Sequence, residues 1–251
     1  GEEPARAVVG GLVTTSIAID IEATIDESLP AFVPHHEGDM APPPYWRVEC
    51  IGMALIANYI TEQLVVVPGE DERARLLAFA SRANKARPGP QLVTFRGRGF
   101  DAPVLDARCM KYGIPLTYMH SPRMDHRYSM GGHFDLADHL NVFGAARAAK
   151  LDVWAKLIGL PGKLGTSGSD VKALIAEGKR REVDVYCLCD VAQTVGLWLR
   201  VLLVRGVIAL EMYVMAARSL LDVIEKTSGL DELAAAIYRP RFLLEESGCQ
   251  Q

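Results

Sequence analysis

The sequence has little of what marks a secreted or membrane protein. Only five of its 251 residues are cysteines, an odd number scattered along the chain, so we expect no disulfide framework and a reducing, cytoplasmic location. The N-terminus lacks the charged-then-apolar layout of a signal peptide. Three charged residues, Arg200, Arg205 and Glu211, interrupt the most apolar stretch, 195–217, which therefore predicts buried helices and no membrane partner.

A strong basic charge is also missing. The net charge of −4 excludes a protein that coats nucleic acid through its overall positive field. A nucleic-acid substrate is still compatible with this charge, because carboxylates that bind metal add negative charge while local basic patches can hold phosphates. Cys187 and Cys189 form a C-x-C pair with no second Cys/His pair at zinc spacing, so no structural zinc site is predicted.

The hydrophobic pattern predicts an α/β fold whose C-terminal half is helical. Strands are expected at 16–22, 48–57, 63–67 and 91–95, with a short fifth strand at 114–119. Helices are expected at 70–82, 100–112, 170–177, 181–204 and 207–225, and the chain is expected to be mainly helical from His133 onward. The apolar run 17–21 suits a strand buried on both faces, which predicts the first strand at the centre of the sheet.

Gly206 separates the last two predicted helices. We therefore divide the chain into a domain at 1–206 and a helical extension at 207–251 that packs on the same domain. The proline-rich segment 29–45 favours a loop.

Two carboxylates stand two positions apart on the first predicted strand. Because side chains alternate across a strand, Asp20 and Glu22 point to the same face. Their neighbours are apolar, and two carboxylates on an apolar strand are costly unless a positive charge lies between them. A divalent cation is the simplest such partner, although a solvent-exposed strand end would explain the pair equally well.

Three further residues could belong to the same site. Asp101 follows Phe100 where a strand turns into a helix, a position that also suits a helix cap. Tyr186 and Asp190 are four residues apart, so on a helix they lie on one face. Each observation alone is compatible with ordinary packing.

Taken together and in this order, these residues resemble the three motifs of the DEDD exonucleases, members of the DnaQ-like, ribonuclease H-like superfamily. The chain is similar to the predicted 3′–5′ exonuclease family related to the proofreading domain of family-B DNA polymerases. Beside the motif residues, the resemblance rests on the stretches 97–105, 133–136, 156–165 and 186–191. Val185 stands where the histidine subclass would have its His, so the resemblance is to the tyrosine subclass.

The resemblance implies a ribonuclease H-like mixed five-stranded sheet flanked by helices and a metal-dependent 3′–5′ exonuclease. It implies that two divalent cations, Mg²⁺ or Mn²⁺, are held by Asp20, Glu22, Asp101 and Asp190, and that Tyr186 orients the attacking water. The expected substrate is the 3′ end of single-stranded DNA or RNA, cleaved to 5′-mononucleotides.

Residues near Asp101 are candidates for binding the substrate. Phe100 is a candidate for stacking on a base, and Arg96 and Arg98 are candidates for contacting phosphates. The family usually has Asn where this chain has Arg96, which puts the positioning of the substrate in question. Asp135 is expected either beside the metal ligands or as a helix cap.

Two other functions are compatible with parts of the sequence. Residues 97–102 also fit the G-x-G-x-x-A pattern of dinucleotide-binding proteins, but Asp101 would then face a pyrophosphate, and no acidic residue follows at the distance expected for a ribose contact. A catalytically weak or inactive nucleic-acid-binding or scaffold protein on the same fold is the second alternative. Retention of all four carboxylates and the tyrosine favours an enzyme.

Overall fold

The computed structural model describes residues 15–85, 90–124, 126–129, 131–165 and 168–245. The strands are β1 (Thr15–Ile25), β2 (Trp46–Ala57), β3 (Ile60–Val66), β4 (Gln91–Thr94) and β5 (His133–Asp135). The helices are α1 (Glu72–Lys85), α2 (Asp101–Tyr112), α3 (Leu136–Leu140), α4 (Leu151–Leu157), α5 (Val171–Ala176), α6 (Arg180–Val204), α7 (Leu210–Lys226), α8 (Asp231–Ala236) and α9 (Arg239–Phe242). Short 3₁₀ turns occupy Pro43–Tyr45, Val142–Gly144 and Gly168–Asp170.

The five strands form one mixed sheet in the order β3-β2-β1-β4-β5. The pairs β1–β2 and β2–β3 are antiparallel, and β4 is parallel to both β1 and β5. The prediction that β1 lies at the centre is confirmed. Its β-branched residues suit this position because both faces of the strand are covered by helices.

The sheet separates two cores. Ile17, Ile19 and Ile21 point to one face and pack with buried side chains of α1 and α2. Ala18 points to the other face, in a cluster that includes apolar residues of α6, α7 and α9. The C-terminal helices thus share a core with the sheet, while the domain boundary at Gly206 stays a prediction.

The predicted fifth strand at 114–119 is wrong. Alternate residues there, Ile114, Leu116 and Tyr118, are buried as in a strand, but the backbone forms turns. Pro115 has no N–H to donate to a neighbouring strand, and the N–H of Tyr118 instead donates to the side chain of Asn84 on α1, at 3.0 Å. Apolar alternation here reflects a segment that covers the end of α1.

The fifth strand is β5, within the part of the chain that was expected to be helical. It has only three residues, too few for a pattern of period two to be visible. Its last residue, Asp135, caps α3 by accepting hydrogen bonds from the N–H groups of Ala137 and Asp138, at 3.0 and 3.3 Å. The strand therefore ends where the cap begins.

Helix α6 is the one helix of the described residues with the length and apolarity of a membrane span. Within its most apolar window, 78% of the residues are buried inside the protein. Its hydrophobicity is explained by packing between the sheet and α7, as the sequence predicts for the stretch that begins at Val195.

Candidate active site and metal centre

Strand β1 presents two carboxylates to α6. Asp20 and Glu22 lie on the same face as Ala18, opposite the isoleucines that pack on α1 and α2. Glu22 is only 8% exposed. A bulge follows between Glu22 and Ala23, where the pairing with β2 shifts by one residue. The extra residue is Glu49 of β2, and such a bulge bends the strand locally, directly beside the Glu22 carboxylate.

Helix α6 crosses this face of the sheet very closely, at Gly52 of β2, the residue paired with Asp20. A Cβ atom at Gly52 would lie 2.9 Å from Sγ of Cys187 and 3.0 Å from a methyl group of Val191. The absence of a side chain lets the N–H of Gly52 donate to Sγ of Cys187 at 3.2 Å, and the thiol donates to the backbone oxygen of Asp20 at 3.3 Å. These contacts bring the helix against the first carboxylate.

The third carboxylate is placed by the turn between β4 and α2. Asp101 is the first residue of α2 and is 5% exposed. A Cβ atom at Gly97 would lie 2.7 Å from Oδ2 of Asp101, so only glycine leaves room for the carboxylate at this position. The turn is tied down by Asp135, whose two oxygens accept from the N–H groups of Arg96 and Arg98, at 3.0 and 2.7 Å.

Electrostatics show that the four carboxylates face one another. Burial raises the pKa of Asp20 well above its ordinary value, and the charges of Asp101, Asp190 and Glu22 raise it further. Burial, Asp190 and Asp101 raise the pKa of Glu22 to about 8. The pKa of Asp101 is also raised, by burial and by Asp135 and Asp190. The four carboxyl groups therefore share one site, where burial and mutual repulsion favour their protonated forms.

Within the described residues, neither Glu22 nor Asp101 has a hydrogen-bond or ion-pair partner. Buried carboxylates are ordinarily paired, hydrogen-bonded or bound to metal. Two unpartnered carboxylates beside two more are the donor set that a hard divalent cation requires, because such ions prefer oxygen ligands. The residues therefore fit the cations that the sequence predicts here.

Tyr186 and Asp190 lie on the face of α6 that is turned to the carboxylates. The phenol hydroxyl hydrogen-bonds the Asp190 carboxylate. Burial and the charges of Asp190, Glu22 and Asp20 raise the pKa of Tyr186 far above its ordinary value, so the phenol remains protonated. Burial raises the pKa of Asp190 to about 6, against the opposing effects of Lys163 and the Tyr186 hydrogen bond.

The comparisons with known proteins identify the family of the chain. The sequence matches the family model described as a predicted 3′–5′ exonuclease related to the exonuclease domain of PolB, over residues 42–238. The chain belongs to this exonuclease family. The match begins after β1, so the inclusion of Asp20 and Glu22 in the site rests on the structure and on the motif order.

The fold is similar to part of a solved DNA polymerase structure. The chain is similar to the family B DNA polymerase from the hyperthermophilic archaeon Pyrobaculum calidifontis, with a TM-score of 0.53 and 18% sequence identity. The similarity covers 92% of this chain and 28% of the polymerase chain. At this identity it shows the fold alone. No curated protein matches the sequence.

Lys163 is a cation of the site that the sequence analysis did not single out. It lowers the pKa of both Glu22 and Asp190, and its Nζ lies 6.0 Å from the centre of the Tyr186 ring. Its backbone N–H donates to Asp152 at 2.8 Å, and the preceding N–H, of Gly162, donates to Gln193 of α6 at 2.7 Å. The loop is thus fixed to both α4 and α6.

Two hollows lie near the site, one lined by Asp190 and the other by residues of the turn that precedes Asp101. One, of about 320 Å³, is lined by Lys163, Tyr186, Asp190, Gln193 and residues of α8. The other, of about 590 Å³, is lined by Arg96, Phe100, Asp135 and the proline-rich loop before β2. An extended molecule that passes the carboxylates would reach both.

The three predicted substrate-binding residues differ in how far their side chains are free to contact a substrate. The side chain of Arg96 is exposed at the larger hollow. Phe100 is half-buried, in edge-to-face contact with Trp46 at 5.3 Å between ring centres. Arg98 donates to the backbone oxygen of His133 at 2.6 Å and forms an ion pair with Asp138 at 3.3 Å. Its guanidinium therefore already stabilises the turn before α2, and its contact with substrate stays a prediction.

Proposed function

We propose that this member of the exonuclease family hydrolyses the terminal phosphodiester bond at the 3′ end of single-stranded nucleic acid and releases 5′-mononucleotides. The observation that supports it is the convergence of four carboxyl groups, of which Glu22 and Asp101 are buried and have no partner among the described residues, beside the Tyr186–Asp190 hydrogen bond. The pKa values of all four are raised, in each case first by burial, and a structural role gives no reason for such an arrangement.

Asp20, Glu22, Asp101 and Asp190 would hold two divalent cations, Mg²⁺ or Mn²⁺. When bound, such ions neutralise the carboxylates, activate a water for attack and stabilise the leaving oxygen. The raised pKa values affect how tightly the cations bind, because protons and cations compete for the same carboxylate oxygens. Cation binding should therefore become stronger as the pH rises through the pKa of Glu22, about 8.

Tyr186 would hold the attacking water by a hydrogen bond. Its phenol cannot act as a base near neutral pH because its pKa lies far above that range. The hydrogen bond to Asp190 fixes the direction of the hydroxyl group. Lys163, whose Nζ lies 6.0 Å from the centre of the Tyr186 ring, would add a positive charge beside the phosphate of the substrate.

The two hollows favour a single strand. A terminal nucleotide can occupy the smaller hollow only when its base is unpaired from a complementary strand, and the nucleotides before it would then lie along Arg96 and Phe100. Unstacking a paired end costs a few kcal/mol, so single-stranded ends should be degraded faster than paired ends. DNA and RNA are both candidate substrates.

The test is product analysis from a 5′-labelled oligonucleotide, DNA and RNA in parallel, with Mg²⁺ or Mn²⁺. We expect a ladder of products that shorten one nucleotide at a time from the 3′ end. Asp20→Asn should abolish the ladder because it removes a carboxylate ligand while keeping the side-chain shape. Asp222→Asn, at an exposed aspartate of α7, is the matched control and should leave the ladder unchanged.

An internal cut that appears before any terminal shortening would indicate an endonuclease and contradict the proposal. Binding of the oligonucleotide with no cleavage under either metal would instead support the inactive, nucleic-acid-binding alternative.

A further inference from the structure

One sulfur atom lies among the oxygen ligands of the site. The ligand atoms of Asp20, Glu22 and Cys187 all lie within 4.8 Å of one another, close enough for one ion to touch all three. Sγ of Cys187 is 3.7 Å from Oδ2 of Asp20. The Glu22 carboxylate, which belongs to this group, is 92% buried and has no partner among the described residues.

Hydrogen bonds fix the sulfur of Cys187 beside the two carboxylates. The N–H of Gly52 donates to the sulfur at 3.2 Å, and the thiol donates to the backbone oxygen of Asp20 at 3.3 Å. The sulfur therefore lies where an ion held by Asp20 and Glu22 would meet it.

We propose that Asp20, Glu22 and Cys187 form a mixed oxygen–sulfur site that binds thiophilic divalent cations such as Cd²⁺, Zn²⁺ or Co²⁺. Hard Mg²⁺ keeps oxygen ligands and leaves Cys187 as a thiol. Soft or borderline ions favour sulfur and recruit Cys187 as a ligand. Two ions of equal charge would therefore bind to the same carboxylates with different ligand sets.

An inhibitory consequence follows if the carboxylates also hold the catalytic ions, and this part rests on the proposed function. A thiophilic ion bound to Cys187 would displace the ion that supports hydrolysis. Cd²⁺ should then inhibit the Mn²⁺-supported reaction.

The binding test uses the whole chain with Co²⁺ and measures no nuclease activity. A thiolate ligand gives an intense sulfur-to-cobalt charge-transfer absorption in the near ultraviolet, which oxygen ligands do not give. We expect this absorption in the wild type and its loss in Cys187→Ser, whose hydroxyl can still donate and accept hydrogen bonds but provides no sulfur. Cys189→Ser is the matched control, because position 189 lies about 200° around α6 from position 187 and should keep the absorption.

Absence of the absorption in the wild type would overturn the proposal. Its persistence in Cys187→Ser would overturn it as well, because the sulfur would then come from another cysteine. The same holds for its loss only in Cys50→Ser, which replaces the buried cysteine of β2 that pairs with Glu22. Melting temperatures of the variants, measured without metal, show whether each is folded.

The inhibition test measures, for the wild type and for Cys187→Ser, the Cd²⁺ concentration that halves the Mn²⁺-supported rate. Each rate is expressed relative to the rate of the same protein without Cd²⁺. Loss of a ligand should raise this concentration by at least about tenfold in Cys187→Ser. An unchanged value would contradict the inhibitory consequence. If the wild type shows no nuclease activity, the proposed function fails while the cobalt absorption still decides whether the mixed site exists.

Discussion

Arg96 combines an exposed side chain with a backbone conformation that does not suit it. Its φ of 66° lies in the left-handed region, which costs an ordinary L-residue about 1–2 kcal/mol and which Asn tolerates better. This backbone requirement explains why Asn is the expected residue of the family at this position. The substitution by Arg therefore affects stability first, and its N–H still donates to Asp135.

The two roles of Arg96 can be separated by Arg96→Asn. We expect the free energy of unfolding to rise by about 0.5–1 kcal/mol, because backbone strain is relieved. The second effect concerns binding to a single strand, measured as the slope of log K against log salt concentration. If the guanidinium contacts a phosphate, this slope should become less negative by about 0.7 in Arg96→Asn. Urea denaturation and binding titrations over a range of salt measure the two effects, and an unchanged slope would show that Arg96 makes no phosphate contact.

Tyr186 is the residue whose replacement should slow hydrolysis without stopping it. Tyr186→Phe removes the hydroxyl that would hold the attacking water and keeps the ring under Lys163. The rate should fall by about 10²–10⁴-fold, while substrate binding changes little. Single-turnover rates with Mn²⁺ check this, and a loss as complete as that of Asp20→Asn would mean that Tyr186 has a role beyond positioning.

At the scale of elements, the contact between α6 and the sheet decides whether the site is assembled. Gly52→Ala would place a Cβ atom 2.9 Å from Sγ of Cys187, and the helix would have to move away from Asp20. We expect a loss of about 1–3 kcal/mol of stability and a larger proportional loss of hydrolysis. Gly168→Ala, where no atom lies within 4 Å of an added Cβ, is the control for glycine replacement.

If Gly52→Ala lowers stability but leaves the rate of the folded enzyme intact, the close approach of α6 does not position the carboxylates. Rates should therefore be measured at a temperature where both variants are fully folded.

The elements also show how far a sequence can be interpreted. The β-branched run of β1 and the long apolar stretch of α6 predict where these two elements lie in the fold. An element that is buried on both sides needs apolar residues throughout, and these are visible in the sequence. The strand β5 is fixed by its pairing with β4 and by the cap at Asp135, and neither is visible in three residues. At 114–119 the apolar alternation is real, but the hydrogen-bond partners come from a side chain of α1.

The same limit applies to the site. Asp20, Glu22, Asp101, Tyr186 and Asp190 can be predicted as one site because each lies in a short local motif and the three motifs follow the order of the family that the sequence resembles. Lys163 reaches the site only through contacts of its loop with α4 and α6, and Cys187 only through a glycine 135 residues away. Such contacts depend on the packing of distant elements, which spacing along the chain does not reveal.

For the whole molecule, the buried carboxylates should make stability depend on pH in an unusual direction. Glu22 has an ordinary pKa of 4.5 and, in the folded chain, a pKa of about 8. Between these values the folded chain holds a proton that the unfolded chain has lost, so stability falls as pH rises. Asp20 and Asp101, with raised pKa values, act in the same direction.

Two buried histidines act in the opposite direction over a different range. The pKa of His133 is lowered to about 3 and that of His139 to about 4, in both cases first by burial. Their contribution to the free energy of unfolding is complete above pH 6.5, the ordinary pKa of histidine, and is lost as the pH falls below it. Between pH 6.5 and 8 the carboxylates therefore determine how the free energy of unfolding changes with pH.

We predict that, in a chelator, the free energy of unfolding decreases from pH 6.5 to 8, by up to about 1.4 kcal/mol per pH unit for each proton held only by the folded chain. Saturating Mn²⁺ should reverse the trend, because ionised carboxylates bind the cation and the folded state gains its binding energy. Glu22→Gln should flatten the slope in chelator, whereas Glu62→Gln, at an exposed position of β3, should not. Urea denaturation at four pH values measures the free energy of unfolding and its slope against pH. If, in the presence of a chelator, this free energy rises with pH, the folded chain does not retain the protons of its carboxylate cluster.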